Sequence, residues 1–383
     1  MMFESLRDEL LSLTARLVET NSVTGREGPC AETLLDYFKS KSIHAELEEV
    51  QPGRWNLIAR VPGTGTTLLF NGHTDMVDVI EGWTTESPFK LEQRDDWMIG
   101  AGVANMKGSL AAQAVATARI AASAEPHASV VFTAVVGECS DLGLGTLTFL
   151  KNCGAADFAI VGEPTGLLAQ TSHTGTYEAR VDFTGVAAHI GDYQWGYNSV
   201  ETASEFVLAV RDTSSLKQGT GPFEGTPRAM SGRMSGGFYP QIAAPSTSVW
   251  TDLRIPPGMD QSDLETFIDA VAARCARSEH STWKRTTLAY EPAYALVPSA
   301  APFMRHLEKA FETVSGEKLT EGFATPSNRF FATDAAHLAA AGIPSLVFGS
   351  GTWITGPDEK VSIAEVCAYA YILIEFAHEA VGS

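Results

Sequence analysis

The segment TLLFNGHTD, residues 67–75, joins an apolar run to a polar end. Its first part, Thr67–Phe70, is mostly apolar at consecutive positions, which is typical of a strand covered on both faces in a layered α/β sheet. His73 and Asp75 follow at the carboxyl end of that strand, where open α/β sheets bind their ligands. This one segment therefore predicts an α/β fold and the position of a functional site.

Three more apolar runs end in polar residues in the same way. They are Ser129–Val136 before Glu138 and Cys139, Asp157–Val161 before Glu163, and Ser345–Phe348 before Gly349 and Gly351. Any one of these polar residues could be a turn cap or a solvated loop side chain. Because the carboxyl ends of parallel strands meet at one edge, however, we expect one cluster there: His73, Asp75, Glu138, Cys139 and Glu163. These are ligand types that zinc accepts, and a glutamate can also act as a general base.

The middle of the chain has a different pattern from its two ends. Helices such as Lys107–Ala122 alternate with the apolar strands at the ends. In the middle, Tyr177–Phe183 alternates apolar and polar residues like a strand with one wet face, and Ser248–Arg254 is another strand. Gln218–Pro245 is rich in glycine, serine and proline, which predicts loops or irregular strands.

We therefore predict an α/β protein of two domains. A three-layer catalytic domain with a mostly parallel sheet takes residues 1–176 and 294–383. A smaller α+β domain, residues 177–293, is inserted into it. Within the insert, Ser262 is predicted to cap a helix with Glu265 as its capping-box partner, and Ser362 with Glu365 predicts the same start for the last helix.

The composition excludes several classes of partner. The chain has 383 residues with 27 Lys and Arg against 46 Asp and Glu, a net charge of −19, which disfavours nucleic acid and anionic membranes. The sequence has no apolar run long enough to span a membrane, and charges interrupt its first residues, so we expect neither a span nor a signal peptide. Five cysteines without a CxxC spacing fit the reducing cytoplasm.

Motifs spread over nearly the whole chain carry a family resemblance. In the larger domain they are Asn71–Asp75, Gly100–Gly108, Glu138, Gly162–Thr165 and Asp334, and in the insert they are Gly185–His189, Gly196–Ser199 and Asp252–Arg254. Together they resemble the zinc aminoacylase/carboxypeptidase family that includes acetylornithine deacetylase, succinyl-diaminopimelate desuccinylase and glutamate carboxypeptidase. The resemblance implies two zinc ions bridged by a carboxylate, a glutamate general base and an oxyanion-stabilising histidine from the lid domain.

The resemblance also implies roles for particular residues. In the larger domain, His73 is the histidine ligand of the first metal, Asp75 orients it, Glu163 is the acidic ligand and Glu138 is the general base. The insert, residues 177–293, is the lid and dimerisation domain, and His189 is the lid-domain histidine. Arg254 and the loop that carries Gly349 and Gly351 fall where relatives hold a substrate carboxylate, and Asn198 is likewise expected to bind the substrate.

Three of the five direct metal ligands are changed in this chain. The bridging aspartate falls on Asn105, the second glutamate on Cys139 and the late histidine on Thr355. A neutral amide cannot bridge two dications, and threonine is a poor zinc ligand, so the sequence disfavours paired zinc. It leaves open a single weak divalent metal, such as zinc, near His73, Glu163 and Asn105, or no metal. Three interpretations of Cys139 stay open: a nucleophile, a metal ligand, or a small side chain that fills the place of the lost ligand beside the substrate.

Three functions follow from this site. We favour an enzyme that acts on an amide or acyl group of an amino-acid derivative by altered chemistry, either single-metal or metal-independent. The alternatives are an ordinary metal-dependent deacylase of N-acyl amino acids or small peptides, and a non-catalytic binding protein, which the retained Glu138, His189 and Arg254 disfavour. Because the inserted domain has an open sheet edge, we also expect a homodimer through it.

Overall fold

The chain divides into two compact units. The computed structural model describes residues 2–152, 154–276, 279–353 and 356–381. The first unit comprises residues 1–172, 295–328 and 333–383, and the second comprises residues 173–294 and 329–332. The second unit thus begins at residue 173 where the sequence analysis put 177, ends at 294 instead of 293, and also takes residues 329–332. No helix among the described residues has the length and apolarity that a membrane crossing requires.

The strands and helices of the described residues are numbered in chain order. The strands are β1 (Ala45–Gln51), β2 (Arg54–Val61), β3 (Thr67–His73), β4 (Glu92–Arg94), β5 (Trp97–Ile99), β6 (Ser129–Val135), β7 (Phe158–Val161), β8 (Ser172–His173), β9 (Gly175–Thr184), β10 (Arg228–Gly236), β11 (Ser246–Ile255), β12 (Trp283–Glu291), β13 (Tyr294–Ala295), β14 (Ser345–Val347) and β15 (Lys360–Ser362). The helices are α1 (Met2–Glu19), α2 (Gly28–Ser40), α3 (Gly108–Ala121), α4 (Leu144–Asn152), α5 (Ser199–Ala209), α6 (Gln261–Cys275), α7 (Ala301–Ser315), α8 (Ala335–Ala340) and α9 (Ile363–Glu379).

The first unit is built on a mostly parallel sheet, which confirms the predicted fold class. Its strand order is β1-β2-β6-β3-β7-β14. The pairs β6–β3, β3–β7 and β7–β14 are parallel, and β2 is antiparallel to both of its neighbours. Leu68, Leu69 and Phe70 are all fully buried. Because successive strand residues point to opposite faces, their burial means that both faces of the sheet are covered.

Two groups of helices supply this cover. Helices α1, α3, α7 and α9 pack on one another, and α4 packs on α8. Within α1, the leucines at a spacing of four and three, Leu6, Leu10, Leu13 and Leu17, are all buried. At the start of α9, the Ser362 hydroxyl accepts the Glu365 N–H as predicted. The Glu365 carboxylate, however, accepts the N–H of Gly351 at 2.8 Å, so the Glu365 side chain anchors a loop.

The second unit is an antiparallel sheet with two helices packed on it. Its strand order is β10-β11-β9-β12, and α5 and α6 bury their apolar faces against it. The sequence analysis predicted two of these four strands. It assigned the region of β10 to loops or irregular strands and did not recognise β12, because β10 is exposed along most of its length and β12 is only partly buried. Neither strand therefore shows the alternation of apolar and polar residues by which a half-buried strand is recognised in a sequence.

The predicted cap of α6 was wrong by two residues. The N-cap is Asp260, whose Oδ1 accepts the Asp263 N–H at 3.0 Å, while Asp263 Oδ2 accepts the Asp260 N–H at 3.2 Å. Ser262 lies inside the first turn and donates its hydroxyl to Asp260 at 2.7 Å. Aspartate and serine are about equally good N-caps, so two overlapping capping boxes competed in this sequence and the aspartates form the real one.

Candidate active site

His73 and Asp75 form the centre of the cluster at the carboxyl end of β3. His73 is the last residue of that strand, and both side chains are buried. The Nδ1 atom of His73 lies 2.9 Å from the backbone oxygen of Asp75 and 3.5 Å from its Oδ1. The two residues therefore fix the plane of the imidazole and leave Nε2 to face the other polar side chains.

The carboxylate of Asp75 ties the loop after β6 to the loop after β3. It accepts the N–H of Glu138 at 3.1 Å, the N–H of Cys139 at 2.9 Å and the hydroxyl of Thr24 at 2.9 Å. Burial by itself raises the pKa of Asp75, but the hydrogen bonds from His73, Thr24 and the backbone outweigh it and the pKa is lowered. The Asp75 carboxylate is therefore ionised, and both of its oxygens already accept hydrogen bonds.

Three side chains meet at the other ring nitrogen of His73. Nε2 lies 3.1 Å from Asn105 Oδ1, 3.4 Å from Glu163 Oε1 and 3.9 Å from Glu138 Oε2. One ligand atom from each of His73, Glu138 and Glu163 lies within 4.8 Å of the others. The structure thus brings together these residues from three different strand ends, as the sequence analysis expected.

Burial sets the ionisation of this group. It raises the pKa of Glu138 well above the ordinary value, and the nearby charge of Glu163 raises it further. Burial likewise raises the pKa of Glu163. Burial lowers the pKa of His73, but Cys139 and Glu163 raise it and prevail, so this pKa lies well above the ordinary value. Burial therefore favours the uncharged form of both carboxyl groups, whereas the neighbouring acidic groups favour the charged form of the imidazole.

The residues of this group fit one divalent cation. Both carboxylate oxygens of Glu163 are buried and accept no hydrogen bond from any described residue. A buried carboxylate without donors is costly unless a charged partner compensates it. Imidazole and carboxylate are also ligand types that zinc prefers. His73 and Glu163 would hold such an ion.

Among the described residues, the positions that would hold a second cation offer weaker ligands. Asn105 is neutral, and its amide oxygen faces His73. The Cys139 sulfur lies 3.9 Å from Nδ1 of His73, on the side of Asp75, and burial raises the thiol pKa well above its ordinary value. His73, Asp75 and Cys139 also lie close enough to share an ion, but Asp75 already accepts three hydrogen bonds. The third changed position, Thr355, lies outside the described residues.

Two acidic residues belong to this region although the sequence analysis assigned them no role. Glu359 accepts the N–H groups of Gly102, Ala104 and Asn105 at 2.8–2.9 Å, so it holds the backbone of the segment that carries Asn105. Asp334 is buried, and its burial raises the carboxyl pKa to about 7, with His73 lowering it and Glu163 raising it. Asp334 is one of the positions that match the family's motifs. Nothing in the sequence marks Glu359 as a site residue except its position shortly after Thr355.

The loop predicted to bind substrate in the first unit packs against the cluster. A side chain added to Gly349 would come within 2.5 Å of the backbone oxygens of Gly162 and Glu163, so only glycine permits this approach. Gly349 also donates its N–H to the hydroxyl of Thr165 at 3.1 Å. Gly351 has a positive φ of 85°, a conformation that glycine adopts readily.

The other predicted site residues lie in the second unit. Exposed His189 accepts the N–H of Gly191 on Nδ1 at 3.1 Å. Asn198 caps α5. Arg254 pairs with Asp252 at 2.9 Å and donates to Thr176 at 2.7 Å. Each of these three side chains thus has a local structural partner.

A histidine, two glutamates and an aspartate gathered at the carboxyl edge of a mostly parallel α/β sheet supply the ligand types and the general base that a metal-dependent hydrolase uses. The chain belongs to peptidase family M20/M25/M40, whose sequence model matches residues 69–379. This membership confirms the resemblance seen in the motifs and makes the chain an enzyme of the amidohydrolase type.

Individual relatives agree with the family assignment. The chain is 27% identical over 372 residues to acetylornithine deacetylase of Proteus mirabilis, with 92% of each chain covered. It is also 27% identical over 278 residues to succinyl-diaminopimelate desuccinylase of Dechloromonas aromatica. That alignment covers 70% of this chain and 73% of the relative. The solved structure of a dinuclear metal-binding peptidase of the M20 family from Bacillus subtilis shares the fold, with a TM-score of 0.75, 12% identity and 99% of each chain covered.

Proposed function

We propose that this protein hydrolyses the amide bond of an N-acylated amino acid with a single divalent cation, held by His73 and Glu163, and with Glu138 as general base. The observation that carries the proposal is the buried carboxylate of Glu163, which has no hydrogen-bond donor among the described residues and lies 3.4 Å from Nε2 of His73. The names of the two sequence relatives support the substrate class, since both denote removal of an acyl group from an amino acid.

The side chains of the cluster have distinct tasks in this reaction. The Glu138 side chain is 9% exposed, more than the side chains of His73 and Glu163 at 0% and 5%. Glu138 takes a proton from the attacking water and returns it to the leaving amine. A bound divalent cation would lower the pKa of that water and polarise the scissile carbonyl. Asp75 holds the imidazole of His73 and, through two backbone N–H groups, the loop that carries Glu138.

The altered positions favour this proposal over an ordinary two-metal deacylase. A second ion would need ligands from Asn105, Cys139 and Thr355. Of these, Asn105 is neutral and the Cys139 sulfur lies beside the other ring nitrogen of His73. His189 as oxyanion donor, and Asn198 and Arg254 as substrate ligands, remain predictions from the resemblance.

Hydrolysis of a panel of N-acyl amino acids before and after chelation tests the proposal. We expect turnover that EDTA abolishes and one equivalent of zinc per chain restores. Activity that survives exhaustive chelation would support metal-independent chemistry in place of the single cation. Absence of turnover on every N-acyl amino acid and dipeptide of the panel would contradict the proposed reaction and favour a binding protein.

We also propose that the protein is a homodimer through the second unit. Strand β10 lies at the edge of the sheet, and among the described strands it pairs with β11 alone. Met230 and Met234 on this strand are 67% and 47% exposed. Edge strands with exposed apolar side chains are usually covered by another chain or element, and a second copy would cover this one.

The cytoplasmic location proposed from the cysteines is supported by free thiols at Cys30, Cys139, Cys275 and Cys367, while Cys153 lies outside the described residues.

A further inference from the structure

The loop that carries Glu138 comprises residues 136–143 and runs from β6 to α4. It closes on itself, because Gly143 donates its N–H to the backbone oxygen of Gly137 at 3.0 Å. The carboxylate of Asp75 holds the loop through the N–H groups of Glu138 and Cys139. The first residues of β2 make a second, separate set of contacts with it.

Arg54, the first residue of β2, contacts the loop on both sides of Glu138. Its side chain is 9% exposed, and Nη1 donates to Oδ2 of Asp141 at 2.7 Å. A Cβ atom placed on Gly137 would lie 3.1 Å from Nη2 of Arg54. The guanidinium therefore packs against the residue immediately before Glu138 and bonds to the residue three positions after it.

Asn56, two residues further along β2, holds the two ends of the loop. Its Oδ1 accepts the N–H of Val136 at 3.1 Å, and its Nδ2 donates to the backbone oxygen of Gly145 at 2.8 Å. Asn56 is fully buried. With its ends fixed in this way, the loop has its middle residues left to be placed by Asp75 and Arg54.

The guanidinium of Arg54 is itself fixed by other partners. Nε donates to Oε2 of Glu27 at 2.9 Å, and Nη1 donates to Oε1 of Gln51 at 2.9 Å. Glu27 is fully buried directly before α2. Arg54 therefore joins a carboxylate of the protein interior to a carboxylate of the loop.

Stability alone does not explain a buried group of three charges. Moving charges out of water costs about as much as their pairing returns, and apolar side chains of similar volume often stabilise a core as well. What the planar guanidinium adds is direction, because its fork holds two carboxylates in a set geometry. The geometry fixed here is that of the loop on which Glu138 lies.

We infer that Arg54 is a positioning residue, which acts through Asp141 to fix the loop and thereby the place of the Glu138 carboxylate beside His73. The inference rests on the proposed function, in which Glu138 is the general base. Arg54 takes no part in the proton transfer itself.

Two variants break this link and leave no buried charge alone. Asp141→Asn changes a side chain that is 37% exposed and leaves Arg54 paired with Glu27. Arg54→Lys keeps a charge beside Glu27 but loses the fork that reaches two carboxylates. We expect each variant to lower kcat about 10–100-fold, with KM and the zinc content per chain as in the wild type. Asp36→Asn, at an exposed aspartate of α2, is the matched control and should keep the wild-type kcat.

Combined variants distinguish positioning from a general structural role. If Arg54 acts through Asp141, the double variant Arg54→Lys/Asp141→Asn loses no more kcat than either single variant. If both act through Glu138, Asp141→Asn leaves the residual kcat of Glu138→Gln unchanged, because the base that they position is already absent. A further loss of kcat in Glu138→Gln by the factor seen in the wild type would overturn the inference, and so would a wild-type kcat in both single variants.

The hold on the loop can also be measured without turnover, by hydrogen exchange of the peptide that contains residues 137–143. Exchange should be about tenfold faster in Asp141→Asn and Arg54→Lys than in the wild type and Asp36→Asn, since one charge-assisted hydrogen bond less favours local opening by about that factor. Faster exchange in a protein that hydrolyses no N-acyl amino acid would keep the hold on the loop and contradict the proposed function. Hydrolysis by the wild type with unchanged exchange in both variants would overturn the inference alone, and neither hydrolysis nor a change in exchange would overturn both.

Discussion

At the residue scale, Glu138 is positioned through its backbone and not through its side chain. Its N–H donates to Asp75 at 3.1 Å, while its carboxylate lies 3.9 Å from His73. A substitution at the carboxylate therefore changes proton transfer and leaves the anchor of the loop in place.

Glu138→Gln tests this assignment. Glutamine keeps the size of the side chain but cannot take a proton, so we expect kcat to fall by about 10²–10⁴ while KM changes little. Glu125→Gln, at an exposed glutamate of the same unit, is the matched control and should turn over like the wild type. Near-normal turnover of Glu138→Gln would remove Glu138 as the general base.

At the element scale, one side chain holds the segment that carries Asn105. Glu359, just before β15, accepts three N–H groups of residues 102–105 and is itself buried. Removing its carboxylate leaves those buried donors without acceptors, which costs about 1–3 kcal/mol for each unsatisfied group.

Glu359→Ala is therefore expected to lower the unfolding temperature. Millimolar formate or acetate should restore part of it by taking the place of the lost carboxylate and accepting the unpaired N–H groups. The comparison is Glu312→Ala, which removes an exposed carboxylate on α7 of the same unit. That variant should stay close to the wild type and show no response to formate. A Glu359→Ala protein that formate does not stabilise would contradict the proposal that the Glu359 carboxylate holds this segment.

The stability of the second unit should depend on pH through Glu291 at the end of β12. Burial raises the pKa of its carboxyl to about 7, with Arg254 lowering it and Glu178 raising it. The ordinary value of 4.5 applies to the unfolded chain. The folded state therefore binds the proton more tightly between these two values, and stability is lost as the pH rises from about 4.5 to about 7.

Glu291→Gln removes this dependence. We expect its stability relative to the wild type to improve by about 1–3 kcal/mol between pH 4.5 and pH 8, measured by chemical unfolding at several pH values. Glu279→Gln, at an exposed glutamate, should show no such trend. If the difference in unfolding free energy between Glu291→Gln and the wild type is constant from pH 4.5 to pH 8, the pKa of Glu291 is not raised in the folded protein.

The elements that the sequence predicts well are those whose pattern follows directly from their surroundings. Strands β3, β6 and β7 lie inside a covered sheet, so their residues are apolar at consecutive positions and their polar ends mark the cluster. Strand β10 has few buried neighbours and no such pattern. The role of Glu359 depends on contacts with residues more than 250 positions away, which no local pattern records.

The orientation of the Cys139 side chain likewise depends on contacts that a local sequence pattern does not record. Its position after β6 predicted that it would lie near His73, and the structure places it there. Which ring nitrogen its sulfur approaches depends on the two N–H bonds that Asp75 makes to this loop. That choice is a property of the folded loop and not of the sequence spacing.

At the scale of the whole molecule, the proposed dimer depends on the exposed edge of the second unit. Lysines at both Met230 and Met234 would place like charges along β10 at a contact between two copies. We expect sedimentation equilibrium to show a dimer for the wild type at micromolar concentration and a monomer for the double variant. Leu147→Lys, at an exposed leucine of the first unit, should remain dimeric. A monomeric wild type, or a double variant as dimeric as the wild type, would contradict this interface.

The central claim is that the cluster at the carboxyl edge of the sheet holds one divalent cation, and the zinc content of the purified chain tests it most directly. Protein prepared without chelator, saturated with zinc and freed of excess should contain one zinc per chain, and Glu163→Gln should contain none because the ion loses its carboxylate ligand. Restoring Asn105→Asp, Cys139→Glu and Thr355→His together should raise the content to two, since a second site needs its whole ligand set. Two zinc ions per wild-type chain, or one zinc ion that Glu163→Gln retains, would contradict the account.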